Sequence, residues 1–152
     1  MKKRVRLFVF FLGIFCFSLS LCAQTDLPTA NPDWQPIYLL VNGGNTMDGI
    51  EASFQLSKCN QEDVVYVKYV NHNTYPVKVE WFDAVFTQEL KWINEERVAA
   101  KKSITLSANE EAKGECLKSA NAKLVVKIKD FIKDKKDFKR YSASQLTITA
   151  VK

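Results

Sequence analysis

A single histidine among 152 residues removes most familiar catalytic and metal-binding arrangements before any pattern is read. A Ser-His-Asp or Cys-His site would have to be built on His72, which sits between two asparagines in turn-forming sequence. Zinc needs three or four Cys, His or acidic ligands, so no metal centre is expected. Glycine and proline are scarce, at 5 and 4 residues, which excludes collagen and Pro/Gly-rich low-complexity chains. There is no phosphate loop, dinucleotide fingerprint or nucleophile elbow, so nothing implies a cofactor. What is present, 47% hydrophobic and 26% charged residues, suits a globular chain of one domain.

The first segment reads as a leader. Lys2, Lys3, Arg4 and Arg6 precede an apolar run of about 16 residues that contains five phenylalanines and ends in Leu21-Cys22-Ala23. A basic start, an apolar middle and a small residue before polar sequence make a secretory signal peptide over residues 1–23. The run is shorter than the roughly 20 residues a spanning helix needs, so no membrane span is expected in the mature chain. Cleavage after Ala23 would leave Gln24 first. The other route is lipidation at Cys22, whose context Leu19-Ser20-Leu21-Cys22 is like a bacterial lipobox with Leu21 in place of a small residue. The expected location is therefore periplasmic or extracellular, with a membrane-anchored lipoprotein as the alternative.

Setting the leader aside changes the charge. It holds four of the 22 basic residues and none of the 17 acidic ones, leaving 18 against 17, a balance of +1. A nucleic-acid partner loses its electrostatic argument. Residues 24–112 carry 7 basic and 13 acidic groups, and residues 113–152 carry 11 and 4. The basic stretch from Lys127 to Arg140 reads either as a patch for an anionic partner or as a solvated face. Asp130, Asp134 and Asp137, interspersed in it, favour the solvated face.

Two cysteines remain after the cut, Cys59 and Cys116, and in an oxidising compartment they have one intramolecular pairing. They lack the CxxC spacing of a redox pair and are read as a structural disulfide.

Residues 24–36, with Pro28, Pro32 and Pro36, form an extended lead-in. From residue 37 to 152 the apolar period is two. Ala52, Phe54 and Leu56 alternate with polar neighbours, as do Val65, Val67 and Tyr69, then Val77, Val79 and Trp81. Asn71 to Pro76 supplies turn chemistry for a hairpin or a corner between sheets. Leu124, Val126 and Ile128 alternate with lysines, and Leu146, Ile148 and Ala150 with threonines. Shorter candidates span residues 37–41, 84–92 and 103–106. Residues 89–100 carry a partial helical stripe, read as a single turn at most. The sum is about 7–9 strands and no long helix after the signal peptide: an all-β, antiparallel sandwich.

The run VVYVKYVNHNTYPVKVEW, followed by SITL and by GEC before KLVVKIKDF, resembles the Ig-like β-sandwich pattern of small exported bacterial proteins over residues 50–152. The resemblance implies a fold and no activity. Trp81 falls 22 residues after Cys59, further than in antibody domains, so no functional residue is carried over.

The aromatics divide by parity. Phe54, Tyr69 and Trp81 belong to apolar faces and read as core. Trp34, Tyr66, Phe82 and Trp92 fall on opposite faces or in loops; exposed together, they would form a platform for glycan stacking or protein docking. The adjacent acids Glu95-Glu96 and Glu110-Glu111 point to opposite sides of a strand and make no dyad by themselves. The stretch at residues 42–51 has oxygen ligands and glycines but not the EF-hand spacing. The expected function is a non-catalytic exported module that binds an envelope protein or glycan or plays a structural role. A lipid-anchored envelope component and a carboxylate-based hydrolase are the alternatives.

Overall fold

The computed structural model describes residues 33–39, 43–94 and 100–151. The expected leader, the Cys22 alternative and the lead-in up to residue 32 lie outside these residues.

Alternation is the reason the chain forms strands, and the longest alternating runs become the longest strands. The described strands are β1 (Gln35–Pro36), β2 (Thr46–Met47), β3 (Ile50–Cys59), β4 (Glu62–Asn71), β5 (Val77–Thr87), β6 (Trp92–Asn94), β7 (Lys102–Leu106), β8 (Glu111–Lys113), β9 (Val125–Lys127) and β10 (Phe138–Ala150). All pairings are antiparallel. One sheet runs β1-β3-β4-β8, with β2 also on β3 and β9 also on β4. The second runs β10-β5-β6, with β7 also on β5. The expected all-β sandwich of two antiparallel sheets is what forms, and the described helical pieces are short 3₁₀ turns.

The hairpin from β3 to β4 turns on Asn60 and Gln61, both left-handed at φ 49° and 67°. Two consecutive residues with positive φ give a tight loop whose twist matches that of the strands. Its register sets Ala52 opposite Tyr69, Phe54 opposite Val67 and Leu56 opposite Val65, so the inward sets meet on one face. Between β4 and β5 the chain changes sheets. Buried Asn71 organises that corner: its amide donates to the carbonyls of Tyr75 (2.9 Å) and Ser107 (2.8 Å), and its oxygen accepts from the Asn73 N–H (3.0 Å). Asparagine is suited to this because its short side chain can stand in for backbone partners in a turn.

The core lies between the sheets. Tyr69 meets Trp81 across it at 5.1 Å between ring centroids, and Phe54 meets Tyr141 at 6.2 Å and Phe138 at 6.5 Å. The disulfide joins Cys59, at the end of β3, to Cys116, in the connection after β8, with Cα atoms 5.4 Å apart. Cys59 ends a strand of the first sheet and Cys116 sits in the loop after another, so the bridge ties a loop to the hairpin end.

Several boundaries differ from the sequence reading for identifiable reasons. The expected strand around Leu124, Val126 and Ile128 shrinks to Val125–Lys127 between 3₁₀ turns at Ser119–Leu124 and Ile128–Asp130. Only three residues pair with β4 there, yet all three apolar side chains are buried, so the alternation reports burial more faithfully than extended backbone. The candidate at 84–92 is split, its first part continuing β5 and its last residue opening β6. The closing strand is longer than its apolar pattern. It begins at Phe138 and crosses a bulge between Ser144 and Thr147, where Gln145 takes φ 48°. Residues 95–99 of the partial helical stripe lie outside the described residues.

Candidate functional site

Parity on β5 decides which residues leave the core. Val77, Val79, Trp81, Asp83 and Val85 point inward, so Phe82, Ala84 and Phe86 face away from the other sheet. Register carries that outer face sideways. Phe86 pairs with Arg140 and Trp92, Ala84 with Ser142 and Asn94, and Phe82 with Ser144. Directly paired residues share a face, which brings aromatic rings, hydroxyls and one guanidinium together.

Trp92 packs edge-on against Phe86, with centroids 4.5 Å apart and rings at 67°. The Arg140 guanidinium lies over the Phe86 ring at 4.3 Å and over the Tyr38 ring at 5.5 Å. Tyr38 comes from the connection after β1, which is pinned where the Leu39 N–H donates to the Gly44 carbonyl at 2.7 Å. Tyr38 is 49% exposed and Trp92 41%. Tyr38, Phe86, Trp92 and Arg140 rim a depression of about 550 Å³, floored by Tyr141 to Gln145.

The four aromatics singled out from the sequence fall into two pairs. Phe82 and Trp92 share this outer face, but Phe82 is buried at 5% exposure and does not line the depression. Tyr66 lies on β4 of the other sheet, and Trp34 immediately precedes β1 at that sheet's edge. The Lys68 ammonium lies 4.8 Å from the Trp34 centroid, and the half-buried Tyr66 hydroxyl donates a long bond (3.5 Å) to the Lys58 carbonyl. Tyr38, Phe86 and Arg140 were not among the aromatic candidates. Phe86 had a usable signal, since it falls two positions beyond Ala84 on the parity of Phe82. Tyr38 and Arg140 meet only through tertiary contact.

Inside the core lies the one buried acid among the described residues, Asp83, which the sequence reading passed over. Its Oδ1 accepts from the Trp81 indole N–H (2.9 Å) and the Tyr141 hydroxyl (2.7 Å), and its Oδ2 pairs with the Lys102 ammonium at 2.5 Å. With both oxygens engaged, Asp83 joins β5, β7 and β10 and presents no free carboxylate to a cleft. Burial, and next the Asp83 charge, pushes the Tyr69 and Tyr141 hydroxyls well above the ordinary tyrosine value. The Tyr69 hydroxyl has no hydrogen-bond partner among the described residues.

Elsewhere the polar candidates are spread over the surface. His72 lies in the corner, 3.0 Å from Glu51 and half exposed. Glu110 accepts from the Ser107 N–H at 2.6 Å, closing a local turn. Glu95 and Glu96 lie outside the described residues. No group of three His, Cys, Asp or Glu side chains suited to a metal occurs among the described residues. In the basic stretch, Lys127 and Lys129 both pair with Glu62, and Lys135 pairs with Asp63 beside Lys58. The two lysines at Glu62 hold its carboxyl below the usual range. At Asp63 burial opposes ionisation, but Lys135 and Lys58 outweigh it, and its value is lowered too. Part of this stretch is therefore neutralised by ion pairs with Glu62 and Asp63 at the start of β4, and not with the interspersed Asp130, Asp134 and Asp137 that the sequence pointed to.

Fold and site together define an all-β, disulfide-bonded, two-sheet protein with an aromatic and arginine-rimmed depression on the outside of one sheet. No protein-family model matches the chain, and no curated protein matches its sequence. Among solved structures, the crystal structure of a DUF1425 family member from Shewanella sp. pv-4 is similar at a TM-score of 0.42 and 8% identity, covering 66% of this chain and 76% of that chain. No helix among the described residues is long and apolar enough to cross a membrane.

Proposed function

We propose that the protein is an exported, non-catalytic module that binds a glycan of the cell envelope or its surroundings. The observation that carries this reading is the pairing of two exposed rings, Tyr38 and Trp92, around one depression with hydroxyl and amide side chains beneath them. A sugar ring offers an apolar C–H face to an aromatic ring and hydroxyls to polar side chains, and this surface has both. Phe86 backs Trp92 edge-on, so its ring orientation is fixed before a ligand arrives and less freedom is lost on binding.

Export is supported by the leader-like sequence of residues 1–23 and by a disulfide of the kind that persists in oxidising compartments. The same reading groups the chain with Ig-like exported modules, on the support of two packed antiparallel sheets. A non-catalytic role is favoured because the buried acid, Asp83, has its oxygens taken up by Trp81, Tyr141 and Lys102.

The test is a titration of the purified mature chain against a panel of oligosaccharides, with Trp92→Ala alongside. Saturable binding to at least one glycan, weakened several-fold to about tenfold by W92A, is the expected result, since an aromatic contact contributes roughly 0.5–1.5 kcal/mol beyond its buried area. Binding that W92A leaves unchanged would remove the site, and no binding at all would remove the reading.

A further inference from the structure

Arg140 is held in an unusual way for a surface arginine. Two rings, Phe86 and Tyr38, lie under its guanidinium, and no acidic or hydrogen-bonding partner takes up its N–H groups among the described residues. Stacking against rings restricts the side chain without consuming its donors, because the ring contact uses the face of the guanidinium and the N–H bonds lie in its plane. The described residues that line the depression include no aspartate or glutamate, so the positive charge is not answered within the site. This contrasts with the lysine-rich stretch nearby, where Glu62 and Asp63 each hold two lysines.

From this we infer that Arg140 selects ligands carrying an anionic oxygen group, so that the glycan is an acidic saccharide. The inference rests on the glycan-binding reading and adds the ligand's charge. A planar five-donor cation matches a carboxylate or a phosphate, each of which presents two oxygens to the fork. Trp92 and Tyr38 would take the sugar rings, and Arg140 the acidic substituent. Uronate and sugar phosphate supply the same oxyanion chemistry.

The experiment titrates the mature chain with tetragalacturonate, with its methyl ester and with mannose 6-phosphate. The ester keeps the rings and removes the charge. The expected result is that tetragalacturonate, mannose 6-phosphate or both bind wild type, with the charged tetramer about tenfold or more tighter than its ester where the carboxylate is the source. Arg140→Gln removes the preference for charge, so that tetragalacturonate binds no more tightly than its ester. Arg140→Lys, which keeps the charge and the side-chain length but not the planar fork, retains only part of the preference, and it serves if R140Q melts early. W92A weakens charged and neutral ligands alike. Equal affinity for tetragalacturonate and its ester with no binding of mannose 6-phosphate, or a charge preference that survives R140Q, overturns the inference while leaving the glycan reading intact. Failure of all three probes overturns the inference, while the glycan reading falls only if the whole oligosaccharide panel fails as well.

Discussion

The Tyr141 hydroxyl donates to the Asp83 carboxylate at 2.7 Å inside the core, joining β10 to β5 by a side-chain bond in addition to their backbone ladder. The same oxygen accepts from Trp81, whose ring in turn lies 5.1 Å from Tyr69 of the opposite sheet. Lys102 completes the arrangement. It reaches Asp83 from β7 and also donates to the Lys123 carbonyl at 2.8 Å, in the segment leading to β9 of the first sheet. A buried carboxylate is costly unless its charge and lone pairs are matched, and here three donors match them.

Removing these donors separately should give graded effects. Lys102→Met takes away the counter-charge while Asp83 stays buried, and the expected loss is about 3 kcal/mol, at the lower end for a broken buried pair because Lys102 is partly exposed. Tyr141→Phe removes one hydrogen bond to a charged group and should cost about 2 kcal/mol. Denaturant midpoints of the two variants give the comparison; a loss from Y141F larger than that from K102M would contradict this ordering.

Gly114 is required by a close approach. A Cβ there would lie 2.2 Å from the Leu124 carbonyl oxygen, which is backbone and cannot swing aside, while the Gly114 N–H donates to Val67 at 2.9 Å. Gly114→Ala should destabilise by about 3 kcal/mol, through displacement of the segment that covers β4. Gly43, with nothing within 4 Å of its added Cβ but φ +85°, should respond less to the same change. Thermal melts of both variants separate a steric effect from a conformational one.

The disulfide spans a sequence separation of 57. Replacing Cys59 and Cys116 by serine together should lower stability by about 4 kcal/mol through the freed unfolded chain. For a domain of this size that is a fall of about 15 °C in Tm. Wild-type protein measured in reductant should match the double variant; a fall of only a degree or two from oxidised wild type would show that the bridge contributes little.

The pH dependence has opposite signs at the two ends. Tyr69 and Tyr141 have folded values above the ordinary 10.0, so the unfolded chain releases those protons first. Their contribution is complete below 10.0 and is lost as pH rises toward the folded values. Glu62, Asp63 and Glu80 have lowered values, so their contribution is present above the ordinary carboxylate range and is lost as pH falls through the folded values. Because Glu62 and Glu80 are half-buried and in contact with solvent, the acid effect should be shallow and weakened by salt. The alkaline effect should be cooperative, with tyrosinate absorbance rising together with loss of the far-ultraviolet signal. Gradual ionisation of both tyrosines in folded protein would contradict their placement in the core.

The fold was legible where burial has a period. Ala52, Phe54 and Leu56, then Val65, Val67 and Tyr69, face inward as their alternation implies, and cysteine count alone led to the bridge that forms. Strand ends were less legible, because the bulge at Gln145 and the turns around Val125 depend on which partner strand is present. Asp83 shared the inward parity of Trp81 and Val85 and could have been found from it. The depression could not: Tyr38, Trp92 and Arg140 come from three separated segments, and only the packed sheets bring them together.

The most direct test of the central claim is a backbone and indole amide spectrum of nitrogen-labelled mature protein, titrated with the tightest acidic oligosaccharide found. The account predicts progressive shifts at the Trp92 indole N–H, at Arg140 and along Ser142 to Gln145, with Tyr66 on the other sheet and Trp34 at that sheet's edge unmoved. Shifts confined to Trp34 and Tyr66, or no shifts at saturating ligand, would contradict it.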